Sequence, residues 1–161
     1  MSPRAALALA LAAGALAAVL AAARAADAPT PVYAQGAAAF QANCAVCHGP
    51  AGAGVPSLAP PLLSYPAHYA ASKEGRRQLV MTLLYGLFGD ILVEDKHYDF
   101  RMPDFARLDD ATLAATLNFI VFDLGHAAAP VKPLEPGEIA AERVLVVDGA
   151  AVREHRKNVA F

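Results

Sequence analysis

Tryptophan is absent from the 161 residues, and cysteine occurs only twice, at Cys44 and Cys47. Two thiols cannot form the disulfide framework of a small secreted domain, and they cannot by themselves complete the four-ligand shell of a structural zinc ion. Basic residues are also scarce. Thirteen Lys and Arg stand against fifteen Asp and Glu, and none clusters with aromatics for base stacking, so the footprint of a nucleic-acid partner is missing. Long apolar runs are the third shortage. Only Ala5 to Ala23 approaches the roughly 20 residues needed to span a bilayer, and no later segment does.

That single run sits behind Arg4 and ends in small residues before Asp27, the order of charged, apolar and cleavable regions in a secretory signal. Residues 1–25 are therefore read as a signal peptide, with cleavage after Ala25 or Ala28, or as an uncleaved anchor that would hold the protein at a membrane. Both readings export the remainder to the periplasm. Loss of Arg4 and Arg24 leaves 11 basic against 15 acidic side chains, a formal charge of −4. The remaining length of about 135 residues suits one core.

Along that remainder, residues 34–45 are helix-compatible and rich in small side chains. Residues 49–66 carry three glycines and five prolines, which predicts an irregular loop. Ser72 caps a helix with Leu79, Leu83 and Leu84 at helical spacing, stopped by Gly86 and Gly89. ILVEDKHY, residues 91–98, suggests a short extended excursion around a charged turn. Asp109 or Asp110 caps a second strong helix whose Leu113, Leu117, Ile120, Val121 and Leu124 share one side, ending at Gly125. Prolines 130, 133 and 136 mark residues 126–136 as a linker or strap. The tail reads either as a short helix from Glu138 or as a hairpin turning at Asp148-Gly149.

The chemistry gathers in Cys44-Ala45-Val46-Cys47-His48. Zinc lacks ligands, and His48 is too close to Cys47 to take the position usual in a finger. A thioredoxin-like dithiol wants a strand before it, whereas the preceding segment reads as helix. A disulfide between Cys44 and Cys47 would close too small a ring to stabilise much. Covalent haem uses all three residues: two thiols one turn apart reach two vinyl groups, and the adjacent imidazole reaches the iron. A second axial ligand is expected from Met102, in a loop stiffened by Pro103 and shortly before the strongest helix. Met81, inside an apolar helix face, reads as core filler. His68 and His97 read as solvent-facing or locally bonded, and His126 and the His155 of the basic REHRK patch as solvated surface.

These features resemble class I mono-haem cytochromes c. The likeness runs through GAAAFQANCAVCHGPAGAGVPSLAPPL, LVMTLLYGLFGDILVEDKHYDFRMPDF and LDDATLAATLNFIVF, roughly residues 36–124. The glycine-spaced Gly86 to Val93 segment, leading through Tyr98 to Met102-Pro103, is most similar to cytochrome subunits that serve periplasmic dehydrogenases and oxidases. The resemblance implies an all-α cytochrome c fold, three to four helices around one covalently attached haem c, in a domain over 32–125 with an irregular extension over 126–161. It implies thioethers at Cys44 and Cys47 and iron bonds from His48 and Met102. Gly36 and Phe40 would meet Phe119 where the first and last helices cross. Pro60 or Pro61 would accept the other N–H of the proximal imidazole, and Tyr98 and Arg101 would neighbour the propionates. The extension is expected to pack on its own domain.

The function implied is single-electron transfer, with no catalytic residues, between redox protein partners such as a periplasmic dehydrogenase or oxidase and the respiratory chain. The competing readings are a haem enzyme or gas-binding sensor with a labile sixth ligand, and an accessory cytochrome subunit.

Overall fold

The computed structural model describes residues 30–159; the signal-peptide reading of residues 1–25 lies outside them. Among the described residues no helix is long and apolar enough to cross a membrane. Helix α1 (Ala34–Asn43) runs through Cys44 into the single turn α2 (Ala45–His48). Its first turn is tied from a distance: the Asp123 carboxylate accepts the N–H groups of Val32 and Tyr33 at 2.7 and 3.0 Å. Donors at a helix start that have no partner in the helix are thereby satisfied by a carboxylate 90 residues further along the chain.

Helix α3 (Tyr65–Ala70) follows the proline-rich loop and carries Pro66 in its first turn, where a missing N–H costs nothing. The proline density of this segment predicts only loop, so α3 shortens the irregular stretch. Helix α4 (Lys73–Tyr85) starts as expected, with the Ser72 hydroxyl accepting the Gly75 N–H at 3.0 Å. The extended excursion is a hairpin of β1 (Ile91–Val93) and β2 (Lys96–Tyr98), pairing Ile91 with Tyr98 and Val93 with Lys96. Helix α5 (Asp110–Asn118) is capped by Asp109, whose carboxylate accepts the Thr112 N–H at 2.7 Å, and widens into a π-helical stretch over Phe119–Leu124.

Two interfaces make the core. Leu79, Val80, Leu83 and Leu84 of α4 pack with Leu113, Leu117 and Val121. Helix α1 crosses α5 at Gly36, where a Cβ would overlap the carbonyl oxygen of Ala115 and come within 2.9 Å of the Phe119 Cβ. One turn on, the Phe40 and Phe119 rings meet at 5.4 Å between centroids, a tilted contact favourable for aromatic pairs. The three residues expected at the helix crossing are together.

The C-terminal extension is irregular in the connection over residues 144–148 and in its strap, residues 126–135. Beyond it lie α6 (Pro136–Arg143) and α7 (Gly149–Lys157). The hairpin alternative is not formed: Asp148 instead caps α7, its carboxylate accepting the N–H groups of Ala150 and Ala151 at 3.1 and 3.0 Å. Ile139 and Val152 are fully buried against the main helices. Arg76 of α4 grips the strap through the carbonyls of Lys132 and Pro133 and holds Glu138 with two nitrogens, at 2.7 to 2.9 Å. Arg143 returns to Asp110 and to the carbonyls of Ala106 and Leu108. The extension thus packs on its own domain.

Candidate haem site

A cavity of about 230 Å³ opens between α2, α4, the β1–β2 hairpin and the loop that carries Met102. Cys44, Cys47, His48 and Met102 all line it, among Leu, Ile, Val, Pro and aromatic side chains. Residues from two distant parts of the chain, the motif and the Met-Pro loop, therefore share one wall system.

The cysteine end is built by helix geometry. The N–H groups of Cys47 and His48 donate to the Cys44 carbonyl at 3.1 and 2.9 Å, so the motif forms a single turn with both thiols on the cavity. Burial, and secondarily the neighbouring Cys47, pushes the Cys44 thiol up to about 11. Burial thus disfavours the Cys44 thiolate that disulfide exchange would need, and the two cysteines are not bonded to each other. Among the described residues no group of three or more His, Cys, Asp and Glu side chains is placed to hold a metal ion. Neither observation favours the zinc or the dithiol reading.

His48 is 8% exposed, and its Nδ1 lies 2.9 Å from the Pro60 carbonyl oxygen. A carbonyl only accepts, so Nδ1 carries the proton and Nε2 keeps its lone pair. Burial lowers the imidazole pKa, against the opposing pull of the Pro60 carbonyl, a direction that favours the neutral ring a metal ligand requires. Pro60, not Pro61, is the acceptor. Gly54 holds this arrangement: its N–H donates to the His48 carbonyl at 2.8 Å, and a Cβ there would lie 2.6 Å from the Pro61 nitrogen. The loop packs too closely for any side chain.

On the facing side Met102 is held by its backbone. Its N–H donates to the Leu87 carbonyl at 2.8 Å and its carbonyl accepts the Leu87 N–H at 3.1 Å, an isolated bridge just after α4. Met81 is buried beside Leu87 and Val152, as a filler should be. Tyr98 is buried in the cavity wall, and Arg101 lines it with its guanidinium 4.7 Å from the Phe88 ring centroid. His68, His97 and His126 are exposed and lie outside the lining; His97 faces Asp90 at 2.9 Å.

Sequence reasoning missed Gln78, Thr82, Tyr69 and Arg156, which also line the cavity. Gln78 and Thr82 stand four apart beside the Leu79 and Leu83 stripe, a spacing that marks a polar seam on the inner face of α4. His155 also corrects its sequence reading. Its Nδ1 donates to the Gln78 Oε1 at 2.7 Å, so the ring is engaged with a 1% exposed amide and is not solvated surface. A basic run on a short amphipathic helix hides this, because one face of that helix turns inward.

The donor set fits an iron porphyrin: two thiols on one helical turn, an imidazole whose Nδ1 is held by Pro60, a thioether, and an apolar surround. The family model described as Cytochrome c matches residues 33–121, and the chain belongs to the cytochrome c family. A cytochrome c-552 of Thermus thermophilus is 38% identical over 118 residues, covering 67% of this chain and 90% of that protein. A second cytochrome c-552 of the same species has the same identity over the same length, covering 80% of that protein. The chain is an electron carrier with one covalently bound haem c, attached in the Cys44–Cys47 motif.

Proposed function

We propose that the protein is a periplasmic single-electron carrier with His48 and Met102 as axial ligands, passing electrons between a dehydrogenase or oxidase and the respiratory chain. The observation that carries this reading is that His48 and Met102 line the same cavity as both cysteines. When bound, the haem supplies a one-electron ferric–ferrous couple. The chain's own residues do the rest. Pro60 orients the His48 ring and raises its basicity through the Nδ1 hydrogen bond. The soft thioether of Met102 and the apolar lining favour the less charged ferrous state and a positive potential. His97, the histidine that a haem enzyme or sensor would have used as a distal group, is turned to Asp90 outside the cavity. The exported location rests on the leader-like residues 1–25. The −4 charge left after their removal suits transient docking to a positively charged face of a partner.

Purification from native periplasm and membranes, with identification of copurifying haem or flavin proteins, tests location and role together. Recovery in the periplasm or on its membrane face, with rapid reduction by a copurifying dehydrogenase or rapid oxidation by an oxidase, is expected. Recovery in the cytoplasm, or no electron exchange with any copurifying redox protein, would contradict the proposal.

A further inference from the structure

The cavity wall contains two cations and no acid. Arg101 and Arg156 line it, whereas among the described residues no Asp or Glu does, and neither arginine belongs to an ion pair there. The guanidinium of Arg101 is exposed and sits over Phe88. Arg156 is half-buried and makes one hydrogen bond, from Nη2 to the Leu92 carbonyl at 3.1 Å. A guanidinium has five N–H donors in a planar fork. Among the described residues the rest of that fork has no carboxylate partner, Tyr69 being a titratable side chain that feels its charge, and a charge withdrawn partly from water is unfavourable unless an anion meets it.

Arg156 belongs to α7, beyond the family match that ends at residue 121. Helix α7 is nevertheless fixed in place. Val152 is fully buried with Met81 and Leu87, and the Gly149 carbonyl accepts the Phe88 N–H at 3.3 Å. The neighbouring His155 donates to Gln78, whose amide in turn donates to Thr82 at 3.0 Å on the cavity face of α4. This bond joins α7 to the cavity face of α4.

We infer that the C-terminal extension is part of the cofactor site: Arg156 is the counter-ion of a haem carboxylate, and the His155–Gln78 bond is the positioning contact that holds α7 in register for it. The inference rests on the haem reading and adds a role to a segment outside the family's core. Its chemical consequence has a definite sign. A fixed positive charge beside the haem disfavours the extra positive charge of ferric iron, so its removal lowers the midpoint potential.

The test uses the holoprotein and its Arg156→Gln, Arg156→Lys and Lys157→Gln variants. Midpoint potential is measured by spectroelectrochemistry across pH, and the propionate bending modes by resonance Raman. Arg156→Gln is expected to lower the potential, shift a propionate mode, and move the carboxylate-linked pH dependence to higher pH. Arg156→Lys, which keeps charge but not the fork, should recover most of the potential but not the mode. Lys157→Gln should leave both at wild-type values. Wild-type potential and modes in Arg156→Gln, or an equal potential shift in Lys157→Gln, would overturn the inference. If Arg156→Gln disturbs axial ligation, Arg156→Lys decides: an unshifted mode rejects the contact and a shifted mode with retained potential supports it. Wild-type protein lacking covalent haem would overturn the haem reading itself, and this inference with it.

Discussion

The side chain of Asn118 pairs with the backbone of Leu134 as a strand would: its Nδ2 donates to the Leu134 carbonyl at 2.9 Å and its Oδ1 accepts the Leu134 N–H at 2.7 Å. Both residues are buried. The last turn of α5 thus satisfies the backbone of a proline-flanked strap that has no secondary structure of its own. Asn118→Leu keeps the volume and orphans both backbone groups. At ~1–3 kcal/mol for each buried group left unsatisfied, a loss of about 3 kcal/mol is expected, read as a lower midpoint in denaturant titration. A change within experimental error would show that the strap finds other partners.

The crossing of α1 and α5 tolerates no side chain at Gly36, because a Cβ there meets backbone of Ala115 and not a flexible tip. Gly36→Ala should therefore destabilise, although alanine is the better helix former. The expected cost is roughly 1–3 kcal/mol or more, the range for overpacked cores, measured by thermal unfolding. A raised melting temperature would mean that the helices can separate without loss.

The Arg76–Glu138 pair gives the extension an acid limit. The Arg76 hydrogen bond holds the Glu138 carboxyl below its ordinary value, against partial burial. A depressed carboxylate contributes stability that is present above its unfolded pKa and lost as pH falls through the folded one. Glu138→Gln should flatten this part of the stability–pH curve below about pH 4.5. Arg76→Ala should cost about 2 kcal/mol, from charge-assisted hydrogen bonds in a partly exposed site, and raise hydrogen exchange through residues 131–139. Exchange unchanged there would separate the pair from the strap.

His155 acts in a higher pH range. Desolvation, then Arg77, lowers its pKa, while Glu142 and Glu74 oppose the shift. A histidine with a depressed folded pKa takes up its proton more readily when unfolded. Stability therefore falls as pH drops through the unfolded value, near 6.5, toward the folded one. His155→Gln should remove that component between about pH 7 and 5. A wild-type slope in the variant would assign the component to another group.

The parts of this architecture written in local pattern were legible in the sequence. Ser72 and Asp109 announced helix starts through short polar side chains, and the leucine spacing announced the faces they bury. The motif at residues 44–48 was read together with the leader-like start and the loop methionine Met102, which the structure sets on the same cavity. Where two local signals compete, the sequence was ambiguous. Asp148-Gly149 serves equally as a hairpin turn or as a helix cap, and only the burial of Val152 decides between them. Prolines 60, 61 and 66 masked α3, since a proline in a first turn looks like one more loop proline. His155 and Arg156 were illegible for a different reason: their partners, Gln78 and the cavity wall, are far away along the chain, and no local pattern encodes that distance.

The pairing of His48 with Met102 is the central claim, and its most direct test is the absorption spectrum of the purified ferric protein beside its Met102→Ala variant. The wild type should display the weak long-wavelength band of thioether-to-iron coordination, and its ferrous form should resist carbon monoxide. Met102→Ala should lose the band and bind carbon monoxide. A variant that keeps the wild-type band and remains closed to carbon monoxide would contradict the assignment of Met102 as the second axial ligand.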